Sequence, residues 1–173
     1  ELVDLEMQNA KINIKVEYKV NEFFENGKDQ VEIFIKTNVG ENENKLTQIA
    51  SGGEMSRIML AIKKVLAEVD RMPIMIFDEI DTGISGKAAK SVANKLKTIS
   101  KNHQVLCISH LAPIAAIADY NYFISKKVQN ERTSTEIKLL DEQEVLYEIA
   151  RISSGEVNEV TLKYASELRN KIA

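Results

Sequence analysis

The stretch "PIMIFDE", residues 73–79, combines a proline, four consecutive apolar residues and two acids. An apolar run of this length after a helix-breaking proline favours a strand that is buried on both faces, as in a parallel sheet. The stretch "QVLCIS", residues 104–109, is a second run of this type. Residues 87–99 predict a helix between them, because the apolar side chains share one side: Ala88, Val92, Leu96 and Ile99. A strand, a helix and a strand within roughly 35 residues form a βαβ unit.

A longer helix is predicted to begin near Gly53, upstream of this unit. Its apolar residues recur at spacings of three and four and form one stripe: Met55, Ile58, Met59, Ile62, Val65, Leu66 and Val69. Further upstream, residues 11–20 and 31–36 alternate apolar and polar side chains, and Asn26-Gly27 between them is a turn signal. Residues 11–45 are therefore predicted to contain an antiparallel hairpin.

Downstream of the second apolar run, a short helix is predicted over residues 111–118. The stretches "YNYFISKKV" and "STEIKLL" then predict a second hairpin or a pair of edge strands. Asp141 is predicted to cap a helix that ends near Arg151, and residues 157–172 predict a C-terminal helix.

The composition, 44% hydrophobic and 28% charged residues in 173, is typical of a soluble globular domain or half of a larger one. The net charge of -3 gives no global sign of nucleic-acid binding, which leaves only a local basic patch. No apolar stretch approaches the roughly 18 residues that a membrane span needs. The single cysteine, Cys107, lies inside an apolar run and is predicted to be a buried thiol.

Polar side chains follow both apolar runs where each predicted strand ends. Because the right-handed crossover places both carboxyl ends at one edge of the sheet, Asp78, Glu79 and His110 are expected to converge there. An Asp held by a strand can ligate Mg²⁺, and the following Glu can polarise an attacking water. Two alternatives stay open: a strand end that only reaches solvent with two acids, and a histidine that is a surface residue or a cap.

The stretch "SGGE", residues 51–54, fits a capping box with Ser51 as the N-cap and Glu54 reaching back. That interpretation leaves Gly52 and Gly53 unexplained, since glycine in a helix costs up to about 1 kcal/mol relative to alanine. Adjacent glycines suit a group that must approach the backbone closely. Because the N–H groups at a helix start bind anions, the stretch predicts a phosphate site.

These motifs together resemble those of ABC-type ATPase heads. "ASGGE" resembles the signature motif, "IMIFDE" the Walker B motif and "ISH" the switch-histidine segment, and their order and spacing agree with that family. Longer stretches closely resemble the RecN-like DNA-repair branch of the SMC-related ATPases: "ASGGEMSRIMLAIKKVLA", "IFDEIDTGISGKAA", "QVLCISHLAPIAAIAD" and "EIARISSGE". The resemblance runs from about Leu2 to the last helix. It implies an α/β fold, the C-terminal half of a P-loop NTPase head of the ABC type, with a mixed, largely parallel sheet, flanking helices and an N-terminal β-hairpin.

The same resemblance implies how the chain is divided. Residues 1–173 would be a C-terminal half-head, in which 1–10 end a coiled coil, 11–45 form the hairpin region and 46–173 carry the three motifs. Residues Leu2, Leu5 and Met7 would be the last remnant of that coil. The chain opens with Glu-Leu-Val-Asp and not with Met, so we expect a piece of a longer protein.

A Walker A motif, G-x-x-x-x-G-K-[ST], is absent from the 173 residues. The nearest stretch, Gly86-Lys87-Ala88, has Asp81 in the place of the first glycine and Ala88 in that of the hydroxyl residue. The resemblance places Walker A in an N-terminal half-head beyond a long coiled coil. We therefore expect the isolated chain not to hydrolyse ATP, and its sheet to expose apolar surface that favours self-association.

The resemblance also implies the residue roles, with two heads enclosing two ATP molecules. Asp78 would support Mg²⁺, Glu79 would orient or deprotonate the water, and His110 would contact the γ-phosphate. In place of the usual D-loop Asp this chain has Ser85, and Asp81 would take part of its role. The expected nucleotide-binding residues are Ser51, Gly52, Gly53, Glu54, Asp81 and Ser85.

The implied function is ATP binding and hydrolysis in DNA double-strand-break repair and recombination, with ATP-driven head dimerisation. The implied partners are the N-terminal half-head, a second head and DNA but no membrane, and the implied location is the cytoplasm and nucleoid. Six lysines are candidates for DNA phosphates, or simply line solvated helix faces: Lys63, Lys64, Lys87, Lys90, Lys95 and Lys97. The alternatives are another SMC-like chromosome-maintenance ATPase, a transporter motor and a non-enzymatic interaction module.

Overall fold

The computed structural model describes residues 1–25, 27–49, 51–66, 72–84, 86–129 and 132–172. Its strands are β1 (Lys11–Tyr18), β2 (Asp29–Lys36), β3 (Asn44–Lys45), β4 (Ile74–Phe77), β5 (Gln104–Cys107), β6 (Tyr122–Gln129) and β7 (Arg132–Leu139). Its α-helices are α1 (Gly52–Leu66), α2 (Gly86–Ile99), α3 (Ala112–Ile117), α4 (Glu142–Ser154) and α5 (Glu159–Ile172). Within these ranges no helix has both the length and the hydropathy to cross a membrane.

The predicted βαβ unit is confirmed. Strands β4 and β5 pair in parallel, with Ile74 opposite Gln104 and Phe77 opposite Cys107. Helix α2 connects them and buries the predicted apolar side of Ala88, Val92, Leu96 and Ile99. These side chains join Met75 and Phe77 of β4 in the largest core cluster, which fixes the position of the β4 carboxyl end.

The two apolar runs are not buried on both faces, so that prediction is wrong for the described residues. In β4, Met75 and Phe77 are each 6% exposed, whereas Ile74 is 47% and Ile76 is 68% exposed. Among the described residues, helices cover only one side of the pair. The other side, here called the open face, consists of Ile74, Ile76, Leu106 and Ile108. Exposed apolar surface was expected for a sheet that lacks its partner half.

The described strands form three separate sheets, of which only the β4–β5 pair is parallel. The predicted N-terminal hairpin is confirmed as the antiparallel pair β1–β2, to which the short β3 adds. Asn26 of its predicted turn lies outside the described residues, and Gly27 has φ 115°. The second hairpin, β6–β7, is confirmed over eight residues in each strand. The parallel part of the predicted mixed sheet is therefore limited to two strands.

Helices α3, α4 and α5 pack together around a second cluster that includes Ala116, Ile149 and Leu168. The predicted cap of α4 is confirmed. Asp141 Oδ1 accepts from the Glu144 N–H at 2.9 Å, and Glu144 Oε2 accepts from the Asp141 N–H at 3.2 Å. The helix ends at Ser154, three residues beyond the predicted end, where Gly155 adopts φ 79°. This cluster supports α3, which begins two residues after the predicted site residue His110.

The first ten residues pack against the helices of this chain. Val3–Leu5 is a single 3-10 turn, and Leu5 and Met7 are buried in two different core clusters. Lys95 pairs with Glu1 and Asp4, and Lys64 also pairs with Glu1. The hydrogen bonds from Lys64 and Lys95 lower the pKa of Glu1 to about 2. The segment is thus attached to both α1 and α2.

Candidate functional site

The ends of β4 and β5 lie at one edge of their sheet, as predicted. The strands are parallel, and just beyond them the Ile108 N–H donates to the Phe77 carbonyl at 3.0 Å. The chain then leaves the sheet at Asp78 on one strand and at Ser109 on the other. The structure therefore brings the two acids and the histidine segment to the same edge.

Asp81 connects these two strand ends. It is 4% exposed, and its Oδ2 accepts from the Ser109 hydroxyl at 2.6 Å and from the His110 backbone N–H at 2.7 Å. The same oxygen lies 3.1 Å from Nδ1 of His110, whose side chain is 76% exposed. When Nδ1 carries a proton, its N–H donates a hydrogen bond to this carboxylate, and Nε2 is left to contact other groups. Asp81, which the sequence assigned to nucleotide binding, thus contacts His110 from the protein interior.

Asp78 and Glu79 both lie at the surface, in a tight turn. The Asp78 carboxylate accepts from the Glu79 N–H at 2.9 Å, and the Glu79 carbonyl accepts from the Thr82 N–H at 3.1 Å. Glu79 has φ 54°, in the left-handed region that residues other than glycine rarely adopt. Such backbone conformations persist only where the surroundings enforce them, and they cluster at functional sites.

Gly52 and Gly53 at the start of α1 lie against this turn. A Cβ on Gly53 would lie 2.8 Å from the Thr82 carbonyl oxygen and 3.1 Å from that of Glu79. A Cβ on Gly52 would lie 2.4 Å from Oε2 of Glu79. The close approach that the two glycines predicted is therefore made, in this chain, by its own 78–82 turn. It places the Glu79 carboxylate beside the start of the helix.

The Ser51 half of the predicted capping box is present, because the Glu54 N–H donates to the Ser51 hydroxyl at 3.4 Å. Ser51 and Gly52 are exposed and Glu54 is half-buried. Two residues of the predicted motifs, Ala50 and Ser85, lie outside the described residues.

Sequence reasoning missed Ser56 and Arg57. The Ser56 hydroxyl donates to the Asp78 carbonyl at 2.7 Å, and Nη1 of Arg57 donates to the Thr82 carbonyl at 2.6 Å. Arg57 is 7% exposed, and burial lowers the pKa of its guanidinium. The spacing was an available signal, since these residues follow the two glycines by four positions and therefore lie on the same helix face.

The remaining candidates are the thiol of Cys107 and clusters of metal-binding side chains. Cys107 is partly buried, and desolvation, followed by the charges of Asp81 and Asp78, raises the pKa of its thiol to about 12. A thiol with so high a pKa is a poor nucleophile at neutral pH. In the described part of the chain no group of three or more His, Cys, Asp or Glu side chains is arranged to hold a metal.

The six candidate lysines separate into two groups. Lys64, Lys95 and Lys97 pair with carboxylates, and Lys63 contacts the sulfur of Met72. Lys87 and Lys90 are exposed in the first turns of α2 and have no hydrogen-bond or ion-pair partner among the described residues. Both line an open groove of about 780 Å³ that also includes His110.

A sequence model of the family described as "RecF/RecN/SMC N terminal domain" matches residues 3–134, about three quarters of the chain. The chain belongs to this family. Among curated members, the DNA repair protein RecN of Halalkalibacterium halodurans is 48% identical over 84% of this chain and 26% of its own length. That of Bacillus subtilis is 45% identical over 83% of this chain and 25% of its own length. The chain thus spans about a quarter of the length of these relatives.

Solved structures agree with the family's fold. The Smc head domain with a coiled coil and joint derived from Pyrococcus yayanosii matches with a TM-score of 0.58, at 19% identity over 88% of this chain and 28% of that chain. A chain from work on ATP-driven dimerisation of SMC ATPases matches with a TM-score of 0.51, at 20% identity over 90% of this chain and 88% of that chain. These matches confirm the predicted α/β head fold.

Proposed function

We propose that this chain is the C-terminal half of an ATP-binding and ATP-hydrolysing head, in a RecN-like protein that acts in DNA double-strand-break repair and recombination. The observation that carries the proposal is the position of Glu79, whose carboxylate lies against Gly52 at the edge of the sheet that also presents His110. The family and the relatives named DNA repair protein RecN support the biological setting.

The start of α1 is the proposed phosphate contact. Ser51 and Gly52 are exposed there, and the N–H groups of a first helical turn attract anions. Ser51 to Glu54 of one head would contact the γ-phosphate of an ATP molecule that is held mainly by a second head. ATP would then hold two heads together, and its hydrolysis would release them.

Glu79 is the proposed catalytic carboxylate, which orients or deprotonates the attacking water. His110 is proposed to direct Nε2 to the γ-phosphate, since Nδ1 is held by the buried Asp81 at 3.1 Å. Asp81 therefore acts through the histidine and not on the nucleotide directly. Ser85 is proposed to take part at the interface with the second head, as its place in the D-loop implies.

Asp78 is the proposed magnesium ligand. One oxygen of its exposed carboxylate accepts from the Glu79 N–H, and the other has no hydrogen-bond partner in the described residues. Mg²⁺ commonly takes one or two carboxylates and completes its shell with substrate phosphates and water, so a single Asp at this position fits. When bound, the ion would neutralise charge on the phosphates.

The phosphate-cradling part of the site is proposed to come from an N-terminal half-head with a Walker A motif. The open face supports this division, since Ile76 is 68% exposed although its neighbours Met75 and Phe77 on the same strand are buried in the main core. The proposed assignments are residues 1–10 as the end of a coiled coil, 11–45 as the hairpin region and 46–173 as the lobe with the three motifs. A second head and DNA are the other proposed partners, in the cytoplasm and on the nucleoid.

ATP turnover by the full-length protein tests this function. We expect Glu79→Gln to lower kcat about a thousand-fold while ATP binding persists, because a general base typically contributes 10²–10⁴-fold. Glu136→Gln on the β6–β7 hairpin is the matched control, and it should turn over ATP like the wild type. Wild-type turnover by Glu79→Gln would contradict the proposal.

A role in chromosome maintenance is the second candidate, because the matched structures are SMC heads. Both candidates need the same ATPase chemistry. A strain with Glu79→Gln separates them: break repair fails under the first, whereas chromosome segregation fails without DNA damage under the second.

A further inference from the structure

Two side chains of α1 attach the turn that carries Glu79 to the helix. Ser56 donates to the Asp78 carbonyl at 2.7 Å, one residue before Glu79. Arg57 donates to the Thr82 carbonyl at 2.6 Å, three residues after it. The two acceptors bracket the proposed catalytic residue, so the backbone on both sides of Glu79 is fixed to α1.

At Gly52 and Gly53 no side chain of α1 separates the helix from the turn. Gly53 is buried, and an added Cβ would lie 2.8 Å from both the Cβ and the carbonyl oxygen of Thr82. Gly52 leaves room for the Glu79 carboxylate itself. Any movement of the helix start relative to the turn would therefore break hydrogen bonds or close contacts.

Arg57 makes its contact with the turn through a charged side chain that is buried. Arg57 is 7% exposed, its Nε has no hydrogen-bond partner in the described residues, and the acceptor of its Nη1 is the neutral Thr82 carbonyl, while the charges of Glu54 and Glu6 favour the guanidinium from nearby. A buried charge without full hydrogen bonding is destabilising compared with an apolar side chain of similar size. Packing alone would favour methionine or leucine at this position, so the guanidinium is retained for its polar contacts, of which the hydrogen bond to the Thr82 carbonyl is the direct one.

The backbone conformation of Glu79 explains why the turn needs these contacts with α1. With φ 54°, Glu79 occupies a left-handed backbone region that is unfavourable for a residue other than glycine and that the surroundings must enforce. The hydrogen bonds from Ser56 and Arg57 supply that constraint at the two flanking carbonyls. They fix the backbone on both sides of Glu79, from which its side chain extends.

We propose that Ser56 and Arg57 are positioning residues, which couple phosphate contact at Gly52–Gly53 to the orientation of the Glu79 carboxylate. This inference rests on the proposed function, in which the two glycines and Glu79 of one head serve different ATP molecules. The α1–turn attachment then transmits the occupancy of one nucleotide site to the catalytic carboxylate of the other.

Steady-state ATP hydrolysis and unfolding of the full-length protein test the inference together. We expect Arg57→Met to lower kcat about a hundred-fold, the loss typical of a misplacement of about 1 Å, without a comparable rise in KM. Its unfolding midpoint should equal or exceed that of the wild type, because a buried charge is removed. Arg57→Lys keeps the charge and should recover part of the turnover. Ser56→Ala should also lower kcat. Ser56→Ala and Arg57→Met should both reduce the cooperativity with which turnover depends on the ATP concentration.

Two controls make the outcomes distinct. Arg151→Met on α4 removes an exposed arginine paired with Glu148, and Thr98→Ala on α2 removes a hydroxyl bonded to a helix carbonyl. Both should keep wild-type kcat. Wild-type kcat and cooperativity in Arg57→Met would overturn the inference, as would a loss of turnover explained by a lower unfolding midpoint. If Glu79→Gln abolishes turnover in the same assay while Arg57→Met does not, the coupling fails and the proposed function stands. If Glu79→Gln retains turnover, the proposed function fails first.

Discussion

The β4–β5 pair has a polar edge, whose groups are hydrogen-bonded within this chain, and an open face, whose apolar side chains are exposed. The polar edge comprises the 78–82 turn, residues 109–110 and the start of α1, and hydrogen bonds within the chain connect its parts. On the open face, Ile76 is 68% and Ile108 is 53% exposed. Contacts within this chain therefore position the proposed reacting groups, whereas the residues that the structure describes cover only one side of the sheet.

The largest expected effect compares two neighbouring residues of β4. Met75→Glu would bury an unpaired charge in the main core, where Met75 is 6% exposed. We expect a loss of at least about 3 kcal/mol in unfolding free energy. Ile76→Glu on the open face should change it by no more than about 0.5 kcal/mol and should reduce self-association.

Urea unfolding and sedimentation velocity of the isolated chain measure this pair. Equal destabilisation by the two substitutions would show that the open face is covered, and would remove the contrast with the polar edge. A wild-type chain that stays monomeric at high concentration would contradict the expected self-association.

A smaller effect separates the two glycines of α1. Gly53→Ala would press a Cβ against backbone atoms of the 78–82 turn, and such overpacking costs about 1–3 kcal/mol. Gly52→Ala meets only the end of the Glu79 side chain, which can move away. We expect Gly52→Ala to keep the unfolding free energy and to lower kcat of the full-length protein about ten-fold or more, because the carboxylate is displaced.

Gly155→Ala is the control, because a Cβ there meets nothing within 4 Å although φ is 79°. It should lose about 1 kcal/mol from the left-handed conformation and keep its turnover. Wild-type kcat in Gly52→Ala would mean that the position of the Glu79 carboxylate beside the helix start has no role in catalysis.

Asp81→Asn tests the support of His110 at the polar edge. The amide keeps the approximate shape but loses the charge that faces Nδ1 at 3.1 Å. We expect kcat to fall about ten-fold with a smaller change in KM, and the same loss in His110→Ala without further loss in the double variant. Asp119→Asn, which removes the partner of Lys97, is the control. Additive losses in the double variant would contradict an action of Asp81 through His110.

The smallest effect concerns the pH dependence of the N-terminal segment. The pKa of Glu1 is lowered to about 2 by Lys64 and Lys95, from an ordinary value of 4.5. Because the folded-state pKa is depressed, this contribution to stability is present above pH 4.5 and is lost as the pH falls towards 2. The difference in unfolding free energy between the wild type and Lys95→Met should shrink across that window, and Lys101→Met should show no such change.

Local patterns predicted the elements well, because their causes are local. The period of the apolar residues located α1 and α2, and the Asp141–Glu144 capping box located the start of α4. The order of strands and crossover was enough to predict that Asp78 and His110 leave the sheet at one edge, since connection handedness is nearly invariant.

Tertiary contacts set the limits of that prediction. The apolar run of β4 shows which side chains favour burial, but it does not show whether a second layer covers Ile74 and Ile76. The glycine pair predicted close approach, but not that the approaching group is the chain's own Glu79. The contacts of Asp81 with His110 and of Arg57 with Thr82 were not predicted, because these partners lie about 25 residues or more away in sequence.

ATP turnover by the isolated chain, alone and mixed with a separately produced half-head that carries a Walker A motif, decides whether the site is divided between two segments. We propose that this chain positions the catalytic carboxylate and that another segment cradles the phosphates. We expect no turnover by either part, turnover by the mixture, and its loss when the mixture contains Glu79→Gln. Turnover by this chain alone that Glu79→Gln abolishes would contradict this proposal, as would a mixture that hydrolyses ATP equally well without the carboxylate.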